Sequence, residues 1–485
     1  MTLGSRPSGR FVIANGSGRV HRHFLAIFNA FSLLLVGGLF FVPSAWAEPE
    51  VTADDLLPTV LDLIRSGDPD LLPIAMEEIR TGLPGVEVTR RLAQELLPDL
   101  GATLQIPLLA ALADRGDPAA LPGIAALVAR SADPTVRAAA IRGLAAVGGP
   151  DEVPLLVGFL SDPMICDAAR DALVTIRSEG ISSRLVAMLQ DAAQPLDTRV
   201  AVIEILTTRR DRAPLPALVA AVVDSAPEIR MAAMQSLGEL GGGDEIPGMV
   251  RGVLAAASGS ERAAAERAVV LACTKGLDKD RAEQVLLASY KGGTAAEQVE
   301  LLPLVAAVGG PEPLTLVDAR LASHDDADRR LGILAVCRWP NAVVADRLLT
   351  LIEAAGDESD RDRLIAALIR IAPLPGDILD DAERLALVRQ VMDLCRTDEQ
   401  RRRLLERASA IRTVETLRFV LPSLDNPALV ESACRSVVEL AHHRTLRDAH
   451  KDEFMAALDR VMATTKNEEL VTRATHYQAG QTWKR

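Results

Sequence analysis

Val136-Arg137-Ala138-Ala139-Ala140-Ile141-Arg142-Gly143-Leu144 returns, with changes, as Ile165 to Leu173, Thr198 to Leu206 and Ile229 to Leu237, at offsets of 29, 62 and 93 residues. The period is close to 31 residues. The turn that follows repeats as well: Gly148-Gly149-Pro150-Asp151-Glu152-Val153-Pro154 comes back as Gly241-Gly242-Gly243-Asp244-Glu245-Ile246-Pro247. A fixed period of this length marks an array of small units, none of which can bury its apolar face without a neighbour.

Each unit reads as two helices joined by a short turn. In the clearest one, Leu121 to Arg130 forms the first helix, and Asp133-Pro134 opens a second that Gly148-Gly149 closes. Asp133 is placed to cap free backbone N–H groups, and Pro134 takes the first helical position, where its missing donor costs nothing. Gly148 suits a left-handed helix terminus. Val136, Ala140, Leu144 and Val147 share one face, and each buried Val or Leu contributes roughly 1.5–3 kcal/mol.

The pattern Asp-Pro-x-Val-Arg-x-Ala-Ala, followed by Leu and Gly, is similar to the HEAT repeat in the short form shared with phycobilisome-lyase-type repeats. The signature is clear over residues 118–250 and degenerates on both sides. The resemblance implies an all-α fold, one α-solenoid superhelix of about 11–13 helix pairs. Residues 48–117 read as an atypical helical N-terminal cap, 118–275 as regular repeats, and 276–485 as degenerate repeats with a C-terminal cap. In the HEAT family the arginine after the valine commonly joins an Asp–Arg ladder between repeats, a structural role carried here to Arg137, Arg199 and Arg230. Cys166 interrupts that row. The family's second helices usually line the concave side, which makes Arg142, Asp171, Glu204 and Gln235 a candidate partner-binding stripe.

Residues 1–47 read as a secretory signal. Arg6, Arg10, Arg19 and Arg22 precede an apolar run from Phe24 to Val42, and Ala45-Trp46-Ala47 supplies the small residues a signal peptidase requires. Cleavage after Ala47 is expected, with an exported, periplasmic or extracellular destination. The competing reading is an uncleaved anchor, the one route by which the chain would meet a membrane. Losing those four arginines takes the formal charge from −13 to −17. So acidic a chain is a poor generic nucleic-acid binder, and sparse aromatics argue against base stacking or a sugar-binding floor. Arginine far outnumbers lysine and alanine is abundant, which matches a GC-rich bacterial coding bias.

Five cysteines, Cys166, Cys273, Cys337, Cys395 and Cys434, have no metal-knuckle or redox spacing and read as buried small hydrophobes. His324-Asp325-Asp326-Ala327-Asp328 reads as the acidic opening of a helix, and His442, His443 and His450 as a solvated helix end. No zinc-protease, phosphate-loop or nucleophile-elbow motif is present, nor are the repeated His-Glu motifs of HEAT-like di-iron hydroxylases. These readings predict no catalytic, cofactor or metal site. They point to a monomeric, non-enzymatic scaffold for protein or peptide partners, with a phycobilisome-lyase-like or other enzyme or accessory protein on the same repeats as the alternative.

Overall fold

The computed structural model describes residues 53–96, 100–276, 278–376 and 378–483. The signal reading for residues 1–47 lies outside them. In the unit Leu121–Arg130 and Pro134–Val147, Asp133 Oδ1 accepts the Thr135 N–H at 2.8 Å, and Pro134 stands at the first helical position. Val136, Ala140, Leu144 and Val147 are buried, together with Ile141. The two turns that repeat in sequence repeat in structure: Gly149 N donates to Glu152 and Gly242 N to Glu245, each at 2.8 Å.

Gly148 corrects one expectation. Its backbone is extended, at φ −78° and ψ 168°, rather than left-handed. Glycine serves there for space: a Cβ would stand 2.6 Å from Leu144 O and 3.2 Å from Ile176 Cδ1. Gly241 has the same extended backbone and the same crowding, against Leu237 O at 2.5 Å.

Helices alternate in this way through the described chain, from Ala53–Ser66 to Glu468–Gln478, with no strand among the described residues. Thirteen pairs can be drawn if the short Arg444–Ala449 segment is treated as connection. Over residues 276–485 the Asp-Pro opening is lost, yet the capping chemistry continues. Thr294, Asp325, Asp357, Asp380 and Thr397 each accept a backbone N–H three residues on, which satisfies donors that the helix cannot. The acidic run after His324 is therefore a helix start, with Asp325 as cap.

Burial is continuous. One apolar cluster runs from Leu57 to Ile411 and a second from Leu405 to Tyr477. Leu404 belongs to the first and Leu405 to the second, so the helix Asp398–Ala408 carries the core across the junction. At most steps the second helix of a pair packs more closely on the next second helix than first packs on first. The second helices thus occupy the shorter, inner arc. Small residues permit that spacing: a Cβ on Gly238 would lie 3.0 Å from Ala268 Cα on the next second helix.

Candidate functional site

The inner arc is built from the second helices, and their outward-facing positions decide what the array can touch. Arg142, Asp171, Glu204 and Gln235 are all exposed, on four consecutive second helices: Pro134–Val147, Cys166–Thr175, Leu196–Arg209 and Pro227–Leu240. They do not form one hydrogen-bonded group. Glu204 is held by Arg170 at 2.7 Å, an exposed pair worth about 0–1 kcal/mol.

The arginine row faces the seams between repeats. Arg199 donates to Leu189 O at 2.8 Å and pairs with Asp224 at 2.7 Å. Arg230 donates to Asp224 O at 2.9 Å and pairs with Glu261 at 2.7 Å. Arg137 reaches Asp162 only at 3.9 Å and lies over the Phe159 ring. Cys166 occupies the next place, where no guanidinium is available. The row resumes beyond the stretch with a clear signature: Arg262 pairs with Glu300 at 2.9 Å, while Arg361 donates to Ala355 O and Arg401 to Cys395 O. Arg199, Arg230, Arg262, Arg361 and Arg401 thus close the carbonyl end of the first helix before them, whereas Arg137 makes no such bond.

A second arginine series was not visible in sequence. Arg115, Arg209, Arg370 and Arg407, all near the ends of second helices, reach back to carbonyls that end the preceding second helix. Arg209 donates to Leu173 O and Ile176 O, Arg370 to Cys337 O and Trp339 O, and Arg407 to Ile369 O and Arg370 O. Arg115 does the same to Ile79 O. Free carbonyls at a helix end carry partial negative charge, which a guanidinium complements. Burial lowers the pKa of Arg115, Arg209 and Arg370, and Arg407 and Arg338 lower Arg370 further.

Arg370 and Arg407 open onto a recess of the inner face. Three adjoining clefts of about 530, 370 and 490 Å³ lie along the second helices Glu358–Ile371, Asp398–Ala408, Val430–His442 and Glu468–Gln478. Glu406 and Arg407 line both the first and second; Arg412, Glu439 and His443 line both the second and third. His442 and His443 are half-buried, which corrects the solvated helix end. His442 Nδ1 and the buried Tyr477 hydroxyl lie 2.9 Å apart, and Tyr477 also packs under the Arg447 and Arg473 guanidiniums. Burial, then Arg412, lowers the His443 pKa.

No group of three or more His, Cys, Asp or Glu side chains among the described residues is placed to hold a metal. Cys273, Cys395 and Cys434 are buried, while Cys166 and Cys337 are half-buried, and all five are free thiols. Burial pushes Cys273 and Cys337 up to about 12 and Cys395 up to about 11, so these three thiols stay protonated near neutral pH. No helix of the described residues is long and apolar enough to cross a membrane.

The family model of HEAT repeats matches residues 89–175 and 182–270. Those residues match HEAT repeats, and the described residues fold as an α-solenoid of helix pairs. No curated protein matches the sequence. Among solved structures, the chain is similar to the karyopherin Kap121p bound to the extreme C-terminus of the protein phosphatase Cdc14p, at 13% identity and a TM-score of 0.42, covering 93% of this chain and 57% of that one. Kap121p bound to Pho4p gives 14% identity and a TM-score of 0.43, covering 94% and 56%. Kap95p, in a structure concerning RanGDP, gives 12% and 0.42, covering 87% and 66%. The chain spans little more than half the length of Kap121p.

Proposed function

We propose that the chain is a non-enzymatic, exported, monomeric scaffold that holds protein or peptide partners along the inner face of its solenoid. The observation that carries this is the row of exposed, non-core side chains on consecutive second helices. Arg142, Asp171 and Gln235 are exposed and off the buried set of Val136, Ala140, Leu144 and Val147, and Glu204 is exposed beside Arg170, so all four face solvent where a partner can meet them. Mixed charges at repeat spacing suit selection of a partner through several weak contacts. Export rests on the basic segment, apolar run and Ala45-Trp46-Ala47 order, and amino-terminal sequencing of secreted protein should begin at Glu48.

The test replaces Arg142, Asp171, Glu204 and Gln235 together by Ala. Tm should hold, because the sites are exposed and Ala favours helix by up to about 0.7 kcal/mol per residue. Affinity for partners captured by the wild-type chain should fall at least about tenfold, or about 1.4 kcal/mol. Unchanged affinity for every partner would remove the stripe from recognition.

A further inference from the structure

The three clefts over residues 358–483 form one groove, and its charge is opposite to that of the chain. The whole chain carries −13, yet guanidiniums dominate this groove. Two of them are already neutralised by carboxylates: Arg403 by Glu399 at 2.7 Å and Arg473 by Glu439 at 2.8 Å. The acids are likewise occupied. Glu406 accepts from Ser432 at 2.9 Å and faces Arg435 at 3.8 Å, and Asp362 accepts from Gln400 at 3.0 Å.

Three guanidiniums have no carboxylate partner among the described residues. Arg370 and Arg407 are bound only to backbone carbonyls, which return at most about half an elementary charge per helix end. Arg412 makes no hydrogen bond or ion pair among the described residues. The direction of the Arg370 shift agrees, since burial and like charge on Arg407 and Arg338 both disfavour its protonated form. An incoming anion relieves that repulsion.

Shape limits what the anion belongs to. The groove is open along its length and crosses four second helices, and three steps of about 9 Å match about 8 residues of extended chain. A compact anion such as phosphate fills one of the three adjoining clefts, whereas an extended chain can occupy all three. We propose that this groove binds an extended acidic peptide segment, its carboxylates falling on Arg370, Arg407 and Arg412 in turn. The proposal rests on the partner-binding reading above and assigns a class of partner to the degenerate half of the array.

The test uses the full chain from Glu48 and three fluorescein-labelled ten-residue peptides of alternating glycine with Glu, Gln or Lys, read by anisotropy. The Glu peptide should bind at least about tenfold tighter than the other two, and should weaken on raising salt from about 0.05 to 0.5 M, as screening of exposed charge requires. Arg412→Glu should cost the Glu peptide at least about tenfold in affinity at unchanged Tm, because that side chain holds no helix end. Arg184→Ala with Gln190→Ala, both exposed on the first helix Ile181–Gln190, should leave that affinity alone. Equal binding of all three peptides, or Glu-peptide binding that survives the Arg412 reversal, overturns the acidic-peptide groove while leaving a peptide-binding solenoid intact. No binding of any peptide, together with no captured partner for the wild-type chain, overturns both.

Discussion

Replacing Trp339 with Ala should destabilise the array by about 3–5 kcal/mol, the cost of emptying a fully packed aromatic site. Trp339 is 2% exposed and follows the second helix Asp326–Val336. Its effect reaches beyond its own pair. The ring edge lies against the end of the preceding second helix, with Cζ2 3.8 Å from where a Gly309 Cβ would stand. Its carbonyl accepts Arg370 of the following pair at 2.7 Å. The Ala variant keeps that carbonyl, so the substitution acts through the ring, which joins its own unit to the preceding one, and an array's stability is a sum of unit and interface terms. The expected signature is a split melt by calorimetry, with residues on the C-terminal side unfolding first. A single transition with unchanged midpoint would show that the junction is held by something else. Trp339→Phe, which keeps most of the volume, should restore one transition.

Arg230→Ala should cost about 2 kcal/mol, and Arg137→Ala less than about 1 kcal/mol, although the two arginines are equivalent in sequence. The difference lies in their partners. Arg230 meets Glu261 at 2.7 Å with side chains 16% and 10% exposed; Arg137 meets Asp162 at 3.9 Å with 28% and 36%. Removing Arg230 leaves Glu261 nearly buried with only the Ala257 N–H at 3.1 Å. Residual solvent contact keeps the penalty under the 3–5 kcal/mol of a fully enclosed pair, roughly by half. The hydrogen bond from Arg230 holds the Glu261 carboxyl below its usual range. A depressed carboxylate pKa stabilises the fold above the unfolded value near pH 4.3, and the contribution is lost as pH falls through the folded value. The gap between wild type and Arg230→Ala should therefore be full at pH 7 and close on acidification below about pH 4. A gap that persists unchanged into acid would assign the loss to packing rather than to the pair.

The fold was legible because its determinants are local. A cap at Asp133, Pro134 inside the start and apolar residues at Val136, Ala140 and Leu144 are all within one helix, and repetition multiplies the signal. Gly148 was misread because its backbone is extended: there a Cβ would crowd Leu144 O of its own helix and Ile176 of the next unit, and the second of these contacts lies outside any local rule. The carbonyl-capping series was missed on the same ground. Arg209, Arg370 and Arg407 look like ordinary basic residues in a last helical turn, and only the stacking brings a carbonyl some thirty residues away within reach. A search for arginine at the end of successive second helices would have found them.

The groove was hidden by a different effect. It lies where Asp-Pro openings have become Asp357-Glu358 and Thr397-Asp398, so the alignment that revealed the stripe loses its register before it arrives. Arg412 and His443 come from a turn and a helix end that are apart in sequence and meet only across a seam. His442 and His443 were noticed, but their burial depends on Tyr477 and Arg473 from the last helix.

The central claim is that partners lie on the inner arc, and site-specific photocrosslinking tests it most directly. A benzophenone side chain placed at Glu204 or Gln235, both exposed on second helices, samples the inner face. The same group at Ala187 or Gln190, exposed on the first helix Ile181–Gln190, samples the outer one. With a captured partner present, crosslinks should form from Glu204 and Gln235 and be absent from Ala187 and Gln190. Crosslinks from Ala187 and Gln190 alone would place recognition on the outer face and contradict the account.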